Sequence, residues 1–302
     1  MVSDRPEQPD MTLTVVVPVF NGLPFVLDAI ESVLRASWIG SREVIVVDDA
    51  SSDDSVRTIS ASHPGVRVIA LRSNVGEAVA RNVGLAHATG RYVTFLDQDD
   101  LVFDDHFMAL YAALERHDAD AAAPRCMSIG PSDDLTRLSG VGALGRPPAE
   151  ADRIVSADDA RAGGISNTLF ARRETLIACG GFTPLLRGVG DYILAWNAAR
   201  THRLVKIGHV TYAYRQHAGM SSYRYDMARN GLLVHAALML AAPGSRPSSA
   251  ETGWTVDLTS VVASAGKHRR RSAADALALG WLSGLRGRSW LAVLRRVVRP
   301  HR

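Results

Sequence analysis

The length and composition of this chain fit a folded protein with one large domain or two modest ones. It has 302 residues, of which 47% are hydrophobic and 22% charged, as is ordinary for a soluble globular protein. The formal net charge of +3 is small, so a nucleic acid is not expected as a partner.

Four predicted strands alternate with helices in the first 125 residues. The predicted strands are mostly apolar runs at 14–19, 43–47, 66–71 and 92–96, and the first two are typical of strands buried on both faces. Helices are predicted at 23–36, 52–61, 77–88 and 104–116, and a short strand at 120–124. Strands separated by helices of this length predict βαβ units and a parallel sheet.

The rest of the chain is predicted to be less regular. Residues 128–149 are rich in Gly, Pro and Ser and are predicted as a loop. We therefore expect a Rossmann-like part at 1–125 and an α+β part of the same domain at 126–222. A mostly helical extension is expected at 223–302, interrupted by a linker near 242–253.

The acidic end of the fourth predicted strand is the most informative segment. Asp97, Asp99 and Asp100 follow an apolar run directly, and carboxylates so close together repel one another unless a cation shares them. Oxygen ligands suit Mg²⁺ or Mn²⁺, usually held together with substrate phosphates. The alternative is a solvated turn in which Asp99 or Asp100 caps the next helix.

Two further strands end in polar loops, at residues 18–22 and 48–54. In a doubly wound sheet these loops share one edge with the acidic loop, so their side chains would line one crevice. Arg81 and Asn82 lie on the first turns of a predicted helix, where a cation and a helix N-terminus could meet an anion. For the acidic residues of the second loop, the alternative is helix capping.

Four pieces of the sequence together resemble the family 2 glycosyltransferases of the GT-A fold. They are VVVPVFN (15–21), VVDDASSD (46–53), NVG with ARN (74–76 and 80–82) and FLDQDD (95–100). Each piece is weak alone, but their order and spacing are specific. The resemblance covers roughly residues 12–222. It implies an α/β fold, with a Rossmann-like, mostly parallel sheet, an α+β acceptor region and a helical C-terminal tail.

The resemblance also implies roles for particular residues. Asp49 would contact the nucleotide base, Asp97 would face the ribose or the metal, and Asp99 would hold Mn²⁺ or Mg²⁺ on the diphosphate. The residues implied to bind the nucleotide sugar are Pro18, Phe20, Asn21, Asp49, Asn74, Arg81, Asp97 and Gln98.

Two segments of the second half extend the resemblance. Gly180-Gly181-Phe182 followed by Gly190-Asp191 is similar to the segment that carries the family's catalytic carboxylate, usually Glu-Asp, so Asp191 is the expected base. Residues 214–217 resemble an Arg-x-His element, and His217 is expected to reach the metal or the diphosphate. The alternative for Asp191 is the N-cap of a helix at 192–200.

These residue types suit the displacement of a nucleoside diphosphate by an acceptor hydroxyl. A divalent cation neutralises the leaving phosphates, and a carboxylate takes the proton of the hydroxyl. Arg81, Arg215 and His217 are candidates for stabilising charge in the transition state. The expected protein is therefore an inverting, metal-dependent hexosyltransferase. Its expected partners are a nucleotide-sugar donor, by default a UDP-sugar, and a cell-surface glycan or lipid-linked acceptor.

Two other functions remain as alternatives. A haloacid-dehalogenase-like phosphatase also has a strand that ends in Asp-x-Asp, although that motif belongs on its first strand. A catalytically degenerate protein that only binds a sugar nucleotide is the other, because Gly190 stands where the family has Glu. A P-loop enzyme and a nicotinamide dehydrogenase are disfavoured, since neither GxxxxGK[ST] nor GxGxxG is present.

The sequence predicts a cytoplasmic protein with possible contact to a membrane surface. Residues 1–10 lack the apolar core of a signal peptide, and no stretch reaches the roughly 18 apolar residues of a membrane span. Cys126 and Cys179 have no metal-site spacing and are expected to be reduced. Residues 288–302 form an amphipathic pattern, with Trp290 and Leu294 on one face and arginines on the other. This pattern fits either a helix on the inner face of the plasma membrane or one packed on the domain.

We expect removal of residues 288–302 to release the protein from anionic vesicles while sparing hydrolysis of the donor. Four arginines contribute about 1 kcal/mol each near an anionic surface, and salt screens this attraction. Vesicle sedimentation at low and high salt measures the binding. A full-length protein that stays in the supernatant at low salt, or an insoluble truncated protein, would favour the packed helix.

Overall fold

The computed structural model describes residues 11–133, 146–161, 168–183 and 190–220. The chain divides into two compact units, and the first, Met1–Pro184 with Gly190–Ala218, contains nearly all the described residues. The predicted helical extension from residue 223, with its amphipathic segment, lies outside the described residues. Within them, no helix has the length and apolar character needed to span a membrane.

Strands and helices alternate through the first half of this unit, as the sequence predicts. The strands are β1 (Leu13–Val19), β2 (Arg42–Asp48), β3 (Arg67–Ala70), β4 (Tyr92–Phe95), β5 (Leu101–Val102), β6 (Ala121–Ile129), β7 (Arg153–Val155), β8 (Phe170–Arg172) and β9 (Leu204–Arg215). The helices are α1 (Val26–Arg35), α2 (Ser55–Ser62), α3 (Glu77–His87), α4 (His106–His117), α5 (Ala157–Arg161), α6 (Arg173–Ala178) and α7 (Gly190–Thr201).

The nine strands of the described residues form one sheet in the order β3-β2-β1-β4-β8-β6-β9-β5, with β7 paired to β9. Strands β3, β2, β1 and β4 are parallel, and β6 runs parallel to β9. Strand β1 is therefore flanked by β2 on one side and by β4 on the other, and the direction in which strands are added changes at β1. Ligands bind at such a switch point, outside the carboxyl ends of the strands. The expected α/β fold with a mostly parallel sheet is confirmed.

The two faces of the sheet bury separate cores because alternate residues of a strand point to opposite faces. In β1, Val15 and Val17 belong to the core beneath α1 and α4, whereas Val16 belongs to the core beneath α3. In β2, Val46 and Ile45 divide in the same way. Both strands are buried on both faces, which explains their unbroken apolar sequence.

Strand β6 differs most from the sequence prediction, which ended it at residue 124. It continues to Ile129 because it pairs with β9 along most of its length, from Ala121 with Leu204 to Ile129 with Arg215. The register shifts between Ala123 and Arg125, around a proline that has no amide hydrogen to donate. The predicted loop at 128–149 therefore begins inside a strand, and its residues 134–145 lie outside the described ranges.

Helix α3 approaches β1 most closely at Gly84, and we expect the substitution Gly84→Ala to destabilise the protein. A Cβ atom there would lie 2.2 Å from Val16 Cγ1. Such overpacking costs about 1–3 kcal/mol, which offsets the roughly 1 kcal/mol that alanine gains over glycine in a helix. Thermal unfolding measures the effect. Gly65→Ala is the control, since a Cβ there meets no atom within 4 Å. Equal melting temperatures for the two variants would contradict the prediction.

Candidate active site

The loops after β1 and β4 flank the switch point and are held together by one amide side chain. The Phe20 backbone N–H donates to Gln98 Oε1 at 2.8 Å, and Gln98 Nε2 donates to Phe20 O at 3.2 Å. This reciprocal pair fixes the spacing of the two loops across the crevice. The Phe20 ring stays exposed at the edge. Pro18 lies before it, buried in β1 and paired with Val47.

Asn21 joins the loop after β1 to the loop after β2. It adopts a positive φ of 51°, and its Oδ1 accepts hydrogen bonds from the backbone N–H groups of Ser52 at 2.8 Å and Asp53 at 3.3 Å. The Asn21 N–H donates to Ser51 Oγ at 2.9 Å. Asn21 therefore orders the second loop, and its predicted contact with a nucleotide sugar remains a prediction.

Asp49 extends this network to the N-terminus of α3. Its two carboxylate oxygens accept the backbone N–H groups of Val75 at 2.7 Å and Gly76 at 2.8 Å. Asn74 Nδ2 donates to the Asp49 carbonyl oxygen at 3.3 Å. Gly76 has a φ of 96°, a conformation that favours glycine. Asp49, which is predicted to contact the nucleotide base, thus also sets the position of the helix that carries Arg81.

The capping interpretation of the second loop holds for Asp53. Its Oδ1 accepts the N–H of Ser55, the first residue of α2, at 3.1 Å. Asp54 stands at the N-cap but makes no capping bond with its side chain; it forms an ion pair with Arg57 instead. Asp48 accepts the N–H of Ser51.

The capping alternative for the acidic loop after β4 is wrong. Helix α4 begins at His106, and its N-cap is Asp105. Asp100 is instead fully buried, where its Oδ2 accepts the Tyr212 hydroxyl at 2.6 Å and its Oδ1 accepts the Arg215 N–H at 2.8 Å. Burial, and then the charges of Asp97 and Asp99, raise the pKa of Asp100 well above its usual range. Asp100 therefore anchors the acidic loop to β9.

Asp99 and His217, the two predicted metal ligands, lie together. His217 Nε2 is 2.8 Å from Asp99 Oδ2, and the Phe25 ring lies 4.6 Å from the imidazole between ring centres. Burial, and then the charge of Asp97, raise the pKa of Asp99, while the hydrogen bond with His217 acts in the opposite direction. The side chain of Asp99 is partly buried, with 21% of its surface exposed.

A carboxylate beside an imidazole is a donor set that suits a divalent cation such as Mn²⁺. In the part of the chain that the structure describes, no group of three His, Cys, Asp or Glu side chains could hold a metal ion. Asp99 and His217 fit the expected ion if water and phosphate oxygens complete its shell, as is usual for Mg²⁺.

Arg215 is a buried structural residue at this point. It is 1% exposed, and its Nε donates to the Asp99 carbonyl oxygen at 2.8 Å. Its Nη1 donates to the carbonyl oxygens of Pro131 and Asp133, and the guanidinium lies over the Phe25 ring. These contacts favour a structural role over the predicted role in charge stabilisation.

Arg81 is buried among carboxylates. Its Nη2 lies 2.5 Å from Asp97 Oδ1 and its Nη1 lies 3.8 Å from Glu77 Oε1, with the Phe182 ring 5.1 Å from the guanidinium carbon. Burial alone would lower the pKa of Arg81, but the charges of Asp97, Glu77 and Asp191 raise it overall. Glu77 was not among the site residues predicted from the sequence. Its position four residues before Arg81 on a helix is the spacing at which an ion pair forms.

Asp191 joins this cluster from the other half of the domain. Helix α7 begins at Gly190, so Asp191 lies in the first helical turn and is not the predicted N-cap. Burial raises its pKa to about 6, partly opposed by Arg81 and by the Tyr192 N–H, while Asp97 and Glu77 raise it further. The expected general base, Asp191, therefore lies close enough to Asp97 for the charge of Asp97 to raise its pKa.

Asn82 holds the two halves of the site in register. Its Nδ2 donates to the Phe182 carbonyl oxygen at 2.7 Å, and its Oδ1 accepts the Phe182 N–H at 2.8 Å. Gly181 has a φ of 64°, and a Cβ there would lie 2.6 Å from Asn82 Oδ1. This approach explains the glycine before Phe182.

The loops after β1, β2 and β4 lie at the carboxyl ends of parallel strands, where open α/β folds bind ligands. The sequence profile of Glycosyl transferase family 2 matches residues 14–189. The chain belongs to this family, which removes the phosphatase alternative.

Two curated relatives and one solved structure show how far the similarity extends. The chain is 32% identical to "Glycosyltransferase GlyG" of Streptococcus pneumoniae over 124 residues, 40% of this chain and 41% of that protein. It is 40% identical to "Succinoglycan biosynthesis protein ExoO" of Rhizobium meliloti over 115 residues, 38% of this chain and 31% of that protein. Each match spans less than half of the relative.

The crystal structure of S. aureus TarS 1–349 in complex with UDP-GlcNAc superposes with a TM-score of 0.62 at 21% identity. The superposition covers 78% of this chain and 68% of that chain. At this identity the likeness supports the fold, which agrees with the sheet described above.

Proposed function

We propose that the protein is an inverting glycosyltransferase that moves a sugar from a nucleoside-diphosphate sugar to a hydroxyl acceptor. One observation carries the proposal: the acidic loop places Asp99 2.8 Å from His217 and Asp97 2.5 Å from Arg81, whose charge also acts on Asp191. The acidic loop therefore lies close to a cation-binding pair and to a base. Transfer from a nucleotide sugar needs both, one for the leaving diphosphate and one for the acceptor.

The donor is proposed to be a UDP-sugar that lies in the crevice between the loops after β1 and β4. The exposed Phe20 ring and Asn21 stand at its edge, and Asp49 and Asn74 lie toward α3. TarS, which shares the fold, was crystallised with UDP-GlcNAc. Asp97 is proposed to face the ribose, with Arg81 behind it fixing the carboxylate.

Mn²⁺ or Mg²⁺ is proposed as the cofactor, held by Asp99 and His217. When bound, such a cation neutralises the charge that develops on the leaving diphosphate. Arg215 and Asp100 hold the two ligands in place from behind, through the Asp99 carbonyl oxygen and β9.

Asp191 is proposed to be the general base. Its carboxyl is ionised above about pH 6, so at neutral pH it can accept the proton of an acceptor hydroxyl. With a single base, attack from the face opposite the leaving group inverts the anomeric centre.

The acceptor is proposed to be a growing cell-envelope glycan or a lipid-linked saccharide. ExoO, similar over 38% of this chain, carries the name of a succinoglycan biosynthesis protein. A cytoplasmic enzyme at the inner face of the plasma membrane would meet both the nucleotide sugar and such an acceptor.

A donor screen tests the proposed function with Asp191→Asn as the inactive reference. Release of nucleoside diphosphate is measured for a panel of UDP-, TDP- and GDP-sugars with Mn²⁺ and with Mg²⁺. We expect Asp191→Asn to lower turnover by about 10²-fold or more and to leave donor affinity nearly unchanged. The control is Glu174→Gln, an exposed acid in the first turn of α6. Near-normal turnover of Asp191→Asn would place the base elsewhere.

The stability of the same variant tests whether Asp191 is a buried carboxylate with a raised pKa. The pKa of Asp191, about 6, is above its ordinary value of 3.8. The protonated form therefore stabilises the fold below about pH 4, and this stabilisation is lost as the pH rises through 6. At pH 8, where burial disfavours the ionised carboxylate, we expect Asp191→Asn to keep or raise the melting temperature; a clear fall would contradict the raised pKa of Asp191.

Asp99→Asn is expected to abolish the effect of the metal on donor binding. In the wild type, Mn²⁺ should tighten nucleoside diphosphate by about 5- to 150-fold, the usual range of coupling between two ligands. Titration calorimetry with and without Mn²⁺ measures this factor. Asp104→Asn, which removes an exposed carboxylate in the following loop, is the control. An unchanged factor in Asp99→Asn would end the metal assignment.

A further inference from the structure

Glu77 is a charged residue in the active-site cluster whose role the proposed reaction leaves open. It is the first residue of α3, and its Oε1 lies 3.8 Å from Arg81 Nη1, one turn further along the helix. The Glu77 side chain is 31% exposed, whereas that of Arg81 is 4% exposed. Glu77 thus lies at the edge of the buried cluster and reaches the guanidinium from the solvent side.

Helices α3 and α7 bring their first turns together here. A Cβ atom on Gly190 would lie 3.7 Å from Ala78 Cβ and 3.6 Å from Phe182 Cδ1. Glu77 precedes Ala78 and Asp191 follows Gly190, so the two carboxylates stand on adjoining turns. The packing of α3 against α7 therefore fixes the position of Glu77 relative to Asp191.

One guanidinium serves three carboxylates in this cluster. Arg81 contacts Asp97 at 2.5 Å and Glu77 at 3.8 Å, and its charge also acts on Asp191. A single positive charge does not neutralise three negative ones, and in a buried site each unit of excess charge is costly. Burial opposes the ionised form of Asp191, Arg81 favours it, and the charges of Asp97 and Glu77 oppose it again.

We propose that Glu77 is a positioning residue for the base: it acts through Arg81 and keeps Asp191 from being neutralised as an ion pair. The proposal rests on the proposed function, in which Asp191 takes a proton from the acceptor. A carboxylate fully paired with an arginine is a weak base, whereas a base works best when its proton affinity matches the working pH. Glu77 supplies the negative charge that opposes the effect of Arg81 on Asp191.

Other charged and polar groups surround Asp191. Arg81 on α3 and the Tyr192 N–H favour its ionised form, and Asp97 after β4 opposes it together with Glu77. Helices α5 and α6 also pack on α7. Their charged residues with described side chains are Asp159, which is paired with Arg153 and Ser156, and Arg173 and Glu174.

The pH dependence of kcat/KM tests the proposal in the full-length protein. In the wild type, the acidic limb should bend near pH 6, where Asp191 becomes ionised. Glu77→Gln removes the competing charge, so we expect the bend to move down by about 0.5–1 unit. The affinity for the donor should stay within a few-fold. Glu174→Gln, which changes an exposed acid in the first turn of α6, should leave the bend where it is.

A direct titration of Asp191 separates this proposal from the proposed function. Carbon-13-labelled aspartate gives carboxyl signals in an NMR spectrum, and Asp191→Asn identifies the signal of interest. We expect the Asp191 signal to titrate at lower pH in Glu77→Gln than in the wild type. An unchanged titration would overturn the role of Glu77 even in an active enzyme. A shifted titration in a protein that transfers no sugar would sustain the coupling and overturn the proposed function.

The variant Glu77→Asp controls for an effect of altered folding. It keeps the charge on a shorter side chain, so its acidic limb should lie nearer to that of the wild type than the limb of Glu77→Gln does. Circular dichroism confirms that each variant is folded. If both variants share the same lowered bend, the shape of the side chain and not its charge is responsible, and the proposal is overturned.

Discussion

Three carboxylates within four residues repel one another, and the active-site half of the fold is organised around that repulsion. Each carboxylate has its own partner from a different part of the chain. Asp97 pairs with Arg81 on α3, Asp99 with His217 after β9, and Asp100 with the Tyr212 hydroxyl and the Arg215 amide on β9. The acidic loop is thereby fixed from both sides of the sheet.

These partners divide the work of the site. Asp100 is buried completely and serves the fold, whereas Asp97 and Asp99 keep part of their surface exposed toward the crevice. The parallel half of the sheet contributes the loops proposed to hold the donor. The other half contributes His217 and Asp191, and Asn82 ties its Phe182 segment to α3. The site is complete only where the two halves meet.

Local sequence patterns predicted the parallel half well because buried strands such as β1 and β2 need an unbroken apolar run. The closeness of Asp99 and His217 was also predicted, from a resemblance that placed both in one site, whereas their binding of a metal stays a prediction. The sequence did not reveal that Gln98 pairs with Phe20, or that Asp100 is an anchor, because such contacts join residues 78 to 115 positions apart. Strand β6 was predicted too short for the same reason: its length is set by β9, which lies far along the chain.

Helix α3 combines several constraints on one rigid element. Gly84 sets its distance from the sheet, Asn82 holds the Phe182 segment, and Arg81 holds the acidic loop. A shift of this helix would move the proposed donor side and the proposed acceptor side together. Changes confined to the surrounding loops could therefore alter the proposed choice of sugar or acceptor without disturbing the alignment of Asp97 with the Phe182 segment.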